Sequence, residues 1–295
     1  LASELTEADA LFGNADLSEI TRAAEMALAS SHRALIPELD PSGKKDFAAC
    51  FGTRPLLSLP GSAYVKITEG CNNWCSFCAI PLIRGPLRSR SIPDIVDECK
   101  ALLKRGIREL CLIGQDLGSF GMDGAAAVHE KGSCLLPQLL RELSMLEGNF
   151  WVRLLYIHPD NFPEDILAVC KRDARILPYF DLPFQHASPS ILAAMNRKGN
   201  PRRYLDLIDR IRGELPDAVI RSTFLVGFPG ETEKDFKELQ EFQLGAELDW
   251  LGIFTYSREE DTAAFALKGK VAKKYALERK RLLEEAQVPI SERRM

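Results

Sequence analysis

Tyr64 to Pro81, YVKITEGCNNWCSFCAIP, decides how this chain is read. A short apolar strand pattern runs into Cys71, Cys75 and Cys78, a C-x-x-x-C-x-x-C run at the strand's end. Soft thiolates suit iron-sulfur centres, and three of them bind three irons of a four-iron cube, leaving the last iron open to another ligand. An open iron implies catalysis. The tight loop at Asn72 and Asn73 can wrap such a cluster, with Trp74 and Phe77 placed to shield it from water. The competing reading is a non-catalytic zinc-binding module with Cys50 as fourth ligand. Zinc prefers four closed ligands, and Cys50 lies across a Pro-rich linker from the other three.

Outward from that loop the chain has an ordinary globular composition. Of its 295 residues 46% are hydrophobic and 27% charged, which sets aside disordered and collagen-like classes. Lys plus Arg is 38 against 42 for Asp plus Glu, so no global field favours nucleic acid, and none is expected as a partner. No apolar run reaches the ~18 residues of a membrane span, and the first thirty residues lack a signal pattern. The expected setting is therefore the cytoplasm, with eight cysteines as thiols or metal ligands rather than a disulfide framework.

After Pro60, short apolar runs alternate with amphipathic helical stretches, the pattern of βα units and a parallel sheet. Strands are expected at Ser62 to Thr68, Glu109 to Ile113, Trp151 to Tyr156, Tyr179 to Leu182, Ala218 to Val226 and Trp250 to Phe254. Ser91 with Asp94 reads as a capping box, and Ile92, Ile95, Val96, Cys99, Leu102 and Leu103 share one helical face up to Gly106. Cys99 on that stripe and Cys111 inside a strand read as small buried hydrophobes. Residues 1–59, with one helical stretch at Ser18 to Ala29, read as a domain remnant plus linker. Residues 271–295 read as a charged closing helix leading toward a segment outside this piece.

The cysteine spacing, the aromatic before Cys78 and the place after the first strand resemble radical S-adenosylmethionine (SAM) enzymes. Further blocks sharpen the likeness: GPLRSRS, LIGQD, RLLYIHP, DLPFQHAS, RSTFLVGFPGET and FTYSREEDTAA, in that order. Together they resemble the methylthiotransferases of that group over residues 60–270. The resemblance implies an α/β fold, a partial (βα)6 TIM-like barrel, with SAM and one 4Fe-4S cluster at the C-terminal ends of the strands. It also implies that Cys71, Cys75 and Cys78 hold the cluster. Complete members carry a second cluster domain and a TRAM domain, so this piece is expected to cleave SAM without inserting sulfur.

Other blocks supply candidate site residues. Gln115 and Asp116 end the second strand, where they meet the cofactor's amino group or cap the next helix. His158, Gln185 and His186 end later strands at the same face, and Gly227 and Gly230 form a sharp turn where a ligand can approach the backbone. Phe77, Gln115, Asp116, His158, Gln185, Gly227 and Gly230 are thus the cofactor-binding candidates. For substrate the candidates are Arg88 and Arg90 after the cluster loop, Arg153 and Arg221 within strands, and His186.

Within the family, Gln185-His186-Ala187-Ser188 and the block from Tyr256 to Thr262 match the branch that methylthiolates the β-carbon of an aspartate in the twelfth small-subunit ribosomal protein, with a low-potential electron donor. The alternative branch methylthiolates adenosine in tRNA. One position departs: the family places Gly where Asp261 stands, and Asp also tolerates a left-handed turn.

Overall fold

The computed structural model describes residues 10–12, 20–29, 33–35, 56, 60–123 and 133–294. The chain divides into two compact units, Leu1–Cys50 and Phe51–Met295. In the first, Ala10–Phe12 and Arg33–Leu35 pair in parallel, and helix Ile20–Ala29 lies between them in the chain. The helix falls within the expected stretch, whereas three-residue strands are too short to leave an alternating pattern. Cys50, the fourth ligand of the zinc reading, lies outside the described residues.

In the second unit six parallel strands follow one another in chain order: β1 (Ser62–Lys66), β2 (Glu109–Ile113), β3 (Trp151–Leu154), β4 (Tyr179–Asp181), β5 (Val219–Val226) and β6 (Trp250–Thr255). β2 lies between β1 and β3, and β5 between β4 and β6. The two triplets meet at one parallel bridge, Val152 to Ile176, where Leu177 N donates to Val152 O at 3.0 Å. These are the six strands expected from the pattern, with ends differing by a residue or two.

The longer helices of this unit, of eight residues or more, are α1 (Ile92–Lys104), α2 (Leu136–Ser144), α3 (Asp165–Arg172), α4 (Pro201–Glu214), α5 (Glu233–Ala246) and the closing α6 (Lys273–Arg294). α1 begins at the expected place, with Ser91 Oγ accepting the Asp94 N–H, the N-cap half of the expected capping box, and it buries Ile92, Ile95, Cys99 and Leu102. Strand alternation divides the sheet faces. Ala63, Val65, Leu110, Leu112, Val152, Leu154, Phe180 and Ile220 join the helices in one core, each side chain larger than alanine contributing ~1.5–3 kcal/mol on burial. The opposite face carries Tyr64, Cys111 and Arg153 in one row, and Asp181, Arg221 and Trp250 in another.

α6, the charged closing helix, is not solvated all round. Ala276, Arg279, Leu283, Gln287 and Ile290 are buried along one stripe, and Gln243 of α5 donates to Leu283 O and Gln287 Oε1. Arginine and glutamine on the buried side hide the stripe from a hydrophobicity pattern. Among the described residues no helix is long and apolar enough to cross a membrane.

Candidate radical SAM site

The cysteine loop leaves β1 through Thr68–Glu69, which pairs antiparallel with Arg88–Ser89 on the returning strap. Gly70 sits where the two segments cross: its φ is +71°, and a Cβ there would lie 2.0 Å from Pro86 O. Cys71 N donates to Gly85 O at 3.2 Å, and Asn72 Oδ1 accepts Leu87 N at 3.0 Å. On the far side, Ser76 donates through N to Met195 O and through Oγ to Ala194 O, while Asn196 Nδ2 donates to Trp74 O. The loop is thus fixed at both flanks by polar contacts rather than by a core of its own.

Cys71, Cys75 and Cys78 are free, partly exposed thiols on this loop. Asn73 N donates to Cys71 Sγ at 3.5 Å, and His158 Nε2 stands 4.0 Å from Cys75 Sγ. Burial pushes the Cys71 and Cys75 thiols up, and the neighbouring thiols add to it. Among the described residues no three thiol, imidazole or carboxylate groups converge at single-ion spacing. Ligands to separate irons of a cube stand farther apart than ligands sharing one ion, and three soft thiols spread along one loop fit a cluster.

Gln115, after β2, holds Oε1 buried with no donor, which fits a ligand amino group. Gln185, after β4, takes a left-handed φ of +68° and bridges to Phe224 of β5. Tyr156, after β3, is likewise left-handed, at +65°. Such backbone at the C-terminal ends of strands belongs to positions over-determined by their surroundings. Phe77 packs on a small core of Ile191, Met195, Leu225, Phe228 and Ala264, whereas Trp74 is 57% exposed.

Several candidates are engaged otherwise. Asp116 is buried and accepts from Gly118 N, Ser119 Oγ, Asn73 Nδ2, His158 N and Asn161 Nδ2, at 2.6 to 2.9 Å. With its oxygens saturated it holds loops together instead of meeting a cofactor. Arg90 is also withdrawn, its guanidinium buried against Glu98 at 2.5 Å and Lys66 O at 2.8 Å. His186 is fully buried, with Nδ1 accepting Ser188 N, so no substrate reaches it. Gly227 is needed for packing, because a Cβ there would meet Ala276 of α6 at 2.6 Å. Gly230 needs its φ of +87°, but nothing crowds its Cβ position.

Arg153 and Arg221 share the open face of the sheet and are already paired, with Glu109 at 2.6 Å and Asp181 at 2.5 Å. An acidic ligand there competes with a resident carboxylate. Arg88 is half-buried on the strap beside the loop.

One residue escaped sequence reasoning. Arg197 is buried, gives Nη1 to Pro183 O at 2.7 Å, and its charge lies close enough to Cys75 to favour the thiolate. In the polar stretch Asn196-Arg197-Lys198-Gly199-Asn200 it looks like a solvated helix tail. Only its burial distinguishes it.

The chain matches the family model for the radical SAM superfamily over residues 65–242. It is similar to ribosomal protein uS12 methylthiotransferase RimO of Treponema denticola, at 46% identity covering all of this chain and 66% of that protein. The RimO of Syntrophomonas wolfei is 41% identical over 95% of this chain and 61% of its own length. The chain spans less than two thirds of these curated relatives. Among solved structures, coproporphyrinogen III oxidase (HemN) from Escherichia coli, a radical SAM enzyme, shares the fold with a TM-score of 0.52 at 16% identity, covering 84% of this chain and 54% of the other. A six-strand parallel sheet with a three-thiol loop at the exit of its first strand, and a family match across most of that sheet, lead to one conclusion: this chain belongs to the radical SAM superfamily.

Proposed function

We propose that this chain is the SAM-cleaving barrel of a methylthiotransferase acting on the β-carbon of an aspartate in ribosomal protein uS12. The observation that carries the reading is the loop of Cys71, Cys75 and Cys78 held at the mouth of the barrel, in a chain 46% identical to a RimO. When bound, a 4Fe-4S cluster and SAM supply reductive cleavage of the sulfonium to a carbon radical. The three thiols would hold the cluster. Gln115 Oε1 offers an acceptor for the cofactor's amino group, and buried Arg197 offers positive charge beside Cys75.

One cluster is assigned to this chain. Of the other described cysteines, Cys99 and Cys170 are pushed up to about 12 by burial and Cys134 to about 11, so they stay protonated and poor as ligands. Cys111 is shifted the same way, again by burial. Asp261 adopts φ +62° where the family has Gly, so the loop conformation survives that departure. A low-potential donor would supply the electron, and the cytoplasm is the setting that suits free thiols.

The test is anaerobic reconstitution with iron and sulfide, followed by metal analysis and EPR with and without SAM. About four irons per chain and a reduced signal that changes on SAM addition are expected. Cys71→Ala, Cys75→Ala and Cys78→Ala should each lose that signal while keeping the wild-type unfolding midpoint, because they remove loop ligands and not core volume. Stoichiometric zinc with no SAM-sensitive signal would overturn the reading. Modification of tRNA instead of uS12 by the whole protein containing this chain would overturn the substrate.

A further inference from the structure

The imidazole of His158 is placed against the cysteine loop, and its orientation is set from two directions. His158 N donates to Asp116 Oδ1 at 2.9 Å, and Pro159 follows it at the start of a 3-10 turn, Pro159–Asn161. Nδ1 accepts the Asp160 N–H at 3.2 Å, so the neutral ring carries its proton on Nε2. Nε2 faces Cys75 Sγ at 4.0 Å. Asp116 also takes Asn73 Nδ2 at 2.9 Å and Asn161 Nδ2 at 2.7 Å, and Asn161 Nδ2 reaches Asn73 Oδ1 at 2.9 Å. A single buried carboxylate therefore joins the loop that carries Cys75 to the loop that carries His158. The separation of donor and sulfur is held by this buried network of short side chains and by the backbone N–H groups of His158 and Asp160.

We infer that His158 is a positioning residue for the cluster, giving its Nε2–H to the Cys75 thiolate and so raising the reduction potential of the iron-sulfur centre. The physical basis is charge. Reduction adds an electron to the cluster and its sulfur ligands, and a hydrogen-bond donor at one sulfur stabilises the more negative state. A buried imidazole, 8% exposed, supplies that donor without admitting water. Asp116 serves the same end indirectly, by holding His158 and Asn73 in register.

The inference rests on the cluster being held by the three cysteines, and reconstituted wild-type protein tests that point separately through its iron content and SAM-sensitive EPR signal. The experiment proper is a redox titration of reconstituted wild type, His158→Leu and His158→Gln, followed by EPR. His158→Leu should bind about four irons with a more negative midpoint potential. His158→Gln, whose amide N–H has similar reach, should stay near the wild-type value. Should His158→Leu lose iron while His158→Gln keeps both iron and potential, the donor is again what matters. A His158→Leu protein with full iron and unchanged potential would overturn the inference. Loss of iron from both variants, or an equal shift in both, would also overturn it, since the ring would then act only by filling space.

Discussion

Gly227 and Ala276 define how closely α6 approaches the barrel: a Cβ on Gly227 would stand 2.6 Å from the Cβ of Ala276. Gly227 also has φ +76°, so the turn after β5 and the closing helix depend on the same missing side chain. Gly227→Ala combines a left-handed backbone cost of ~1–2 kcal/mol with an overpacking cost of ~1–3 kcal/mol. Urea unfolding should show a loss of about 3 kcal/mol. Adding Ala276→Gly, itself costing ~1 kcal/mol in helix propensity, should give a double mutant more stable than the sum of the two. Strict additivity would mean the helix does not seat on this turn.

Asp116→Asn tests the hub. An amide replaces one acceptor with a donor that faces other donors, Asn73, Ser119 and Asn161 on one side or Gly118 N and His158 N on the other. Leaving buried donors without acceptors costs ~1–3 kcal/mol each. A loss of at least ~2 kcal/mol and faster iron release from reconstituted protein are expected. A change under ~0.5 kcal/mol would show that the hydrogen bonds do not act together.

Glu231 lies buried under the turn, accepting Gly227 N and Phe228 N, and pairs with Arg279 of α6 at 2.9 Å. Arg279→Met strands that carboxylate and should cost ~3–5 kcal/mol at neutral pH. Burial already pushes the Glu231 carboxyl up, against the pull of Arg279, and the substitution raises it further. A carboxyl with a raised folded pKa destabilises above its unfolded value and ceases to do so once protonated. The deficit of Arg279→Met should therefore shrink as pH falls toward 5, and a constant deficit would point to lost packing alone.

His186 makes the fold acid-sensitive. Burial lowers its pKa to about 4, with Asp235 opposing and Arg279 assisting. The unfolded chain binds its proton near pH 6.5, so the neutral ring's contribution is complete above that pH and is lost as pH falls toward 4. The total approaches ~3 kcal/mol. Denaturant midpoints between pH 7 and 4.5 should fall more steeply for wild type than for His186→Asn, whose amide oxygen can still accept Ser188 N. Parallel slopes would show that His186 does not titrate across folding.

Periodicity carried much of the architecture. Glu109 to Ile113 is the same strand in pattern and structure, and the α1 stripe of Ile92, Ile95, Cys99 and Leu102 is buried as its spacing requires. The thiol loop is legible because ligand spacing along a chain is local. Pairing across the fold was not. Arg90 pointed toward substrate until Glu98 was found opposite it, and Asp116 toward a cofactor until five donors converged on it.

What the amino-acid order by itself determined is which residues turn inward and which loop bears the thiols, because burial follows from the side-chain repeat of each element. What the tertiary structure decided is which polar groups are free to act. His158, Gln115 and Arg197 face the cysteine loop or lie open to a ligand, whereas Arg90, Asp116 and His186 are consumed inside the fold. A polar side chain's role depends on its partner, and the partner comes from a distant segment whose approach no local pattern records.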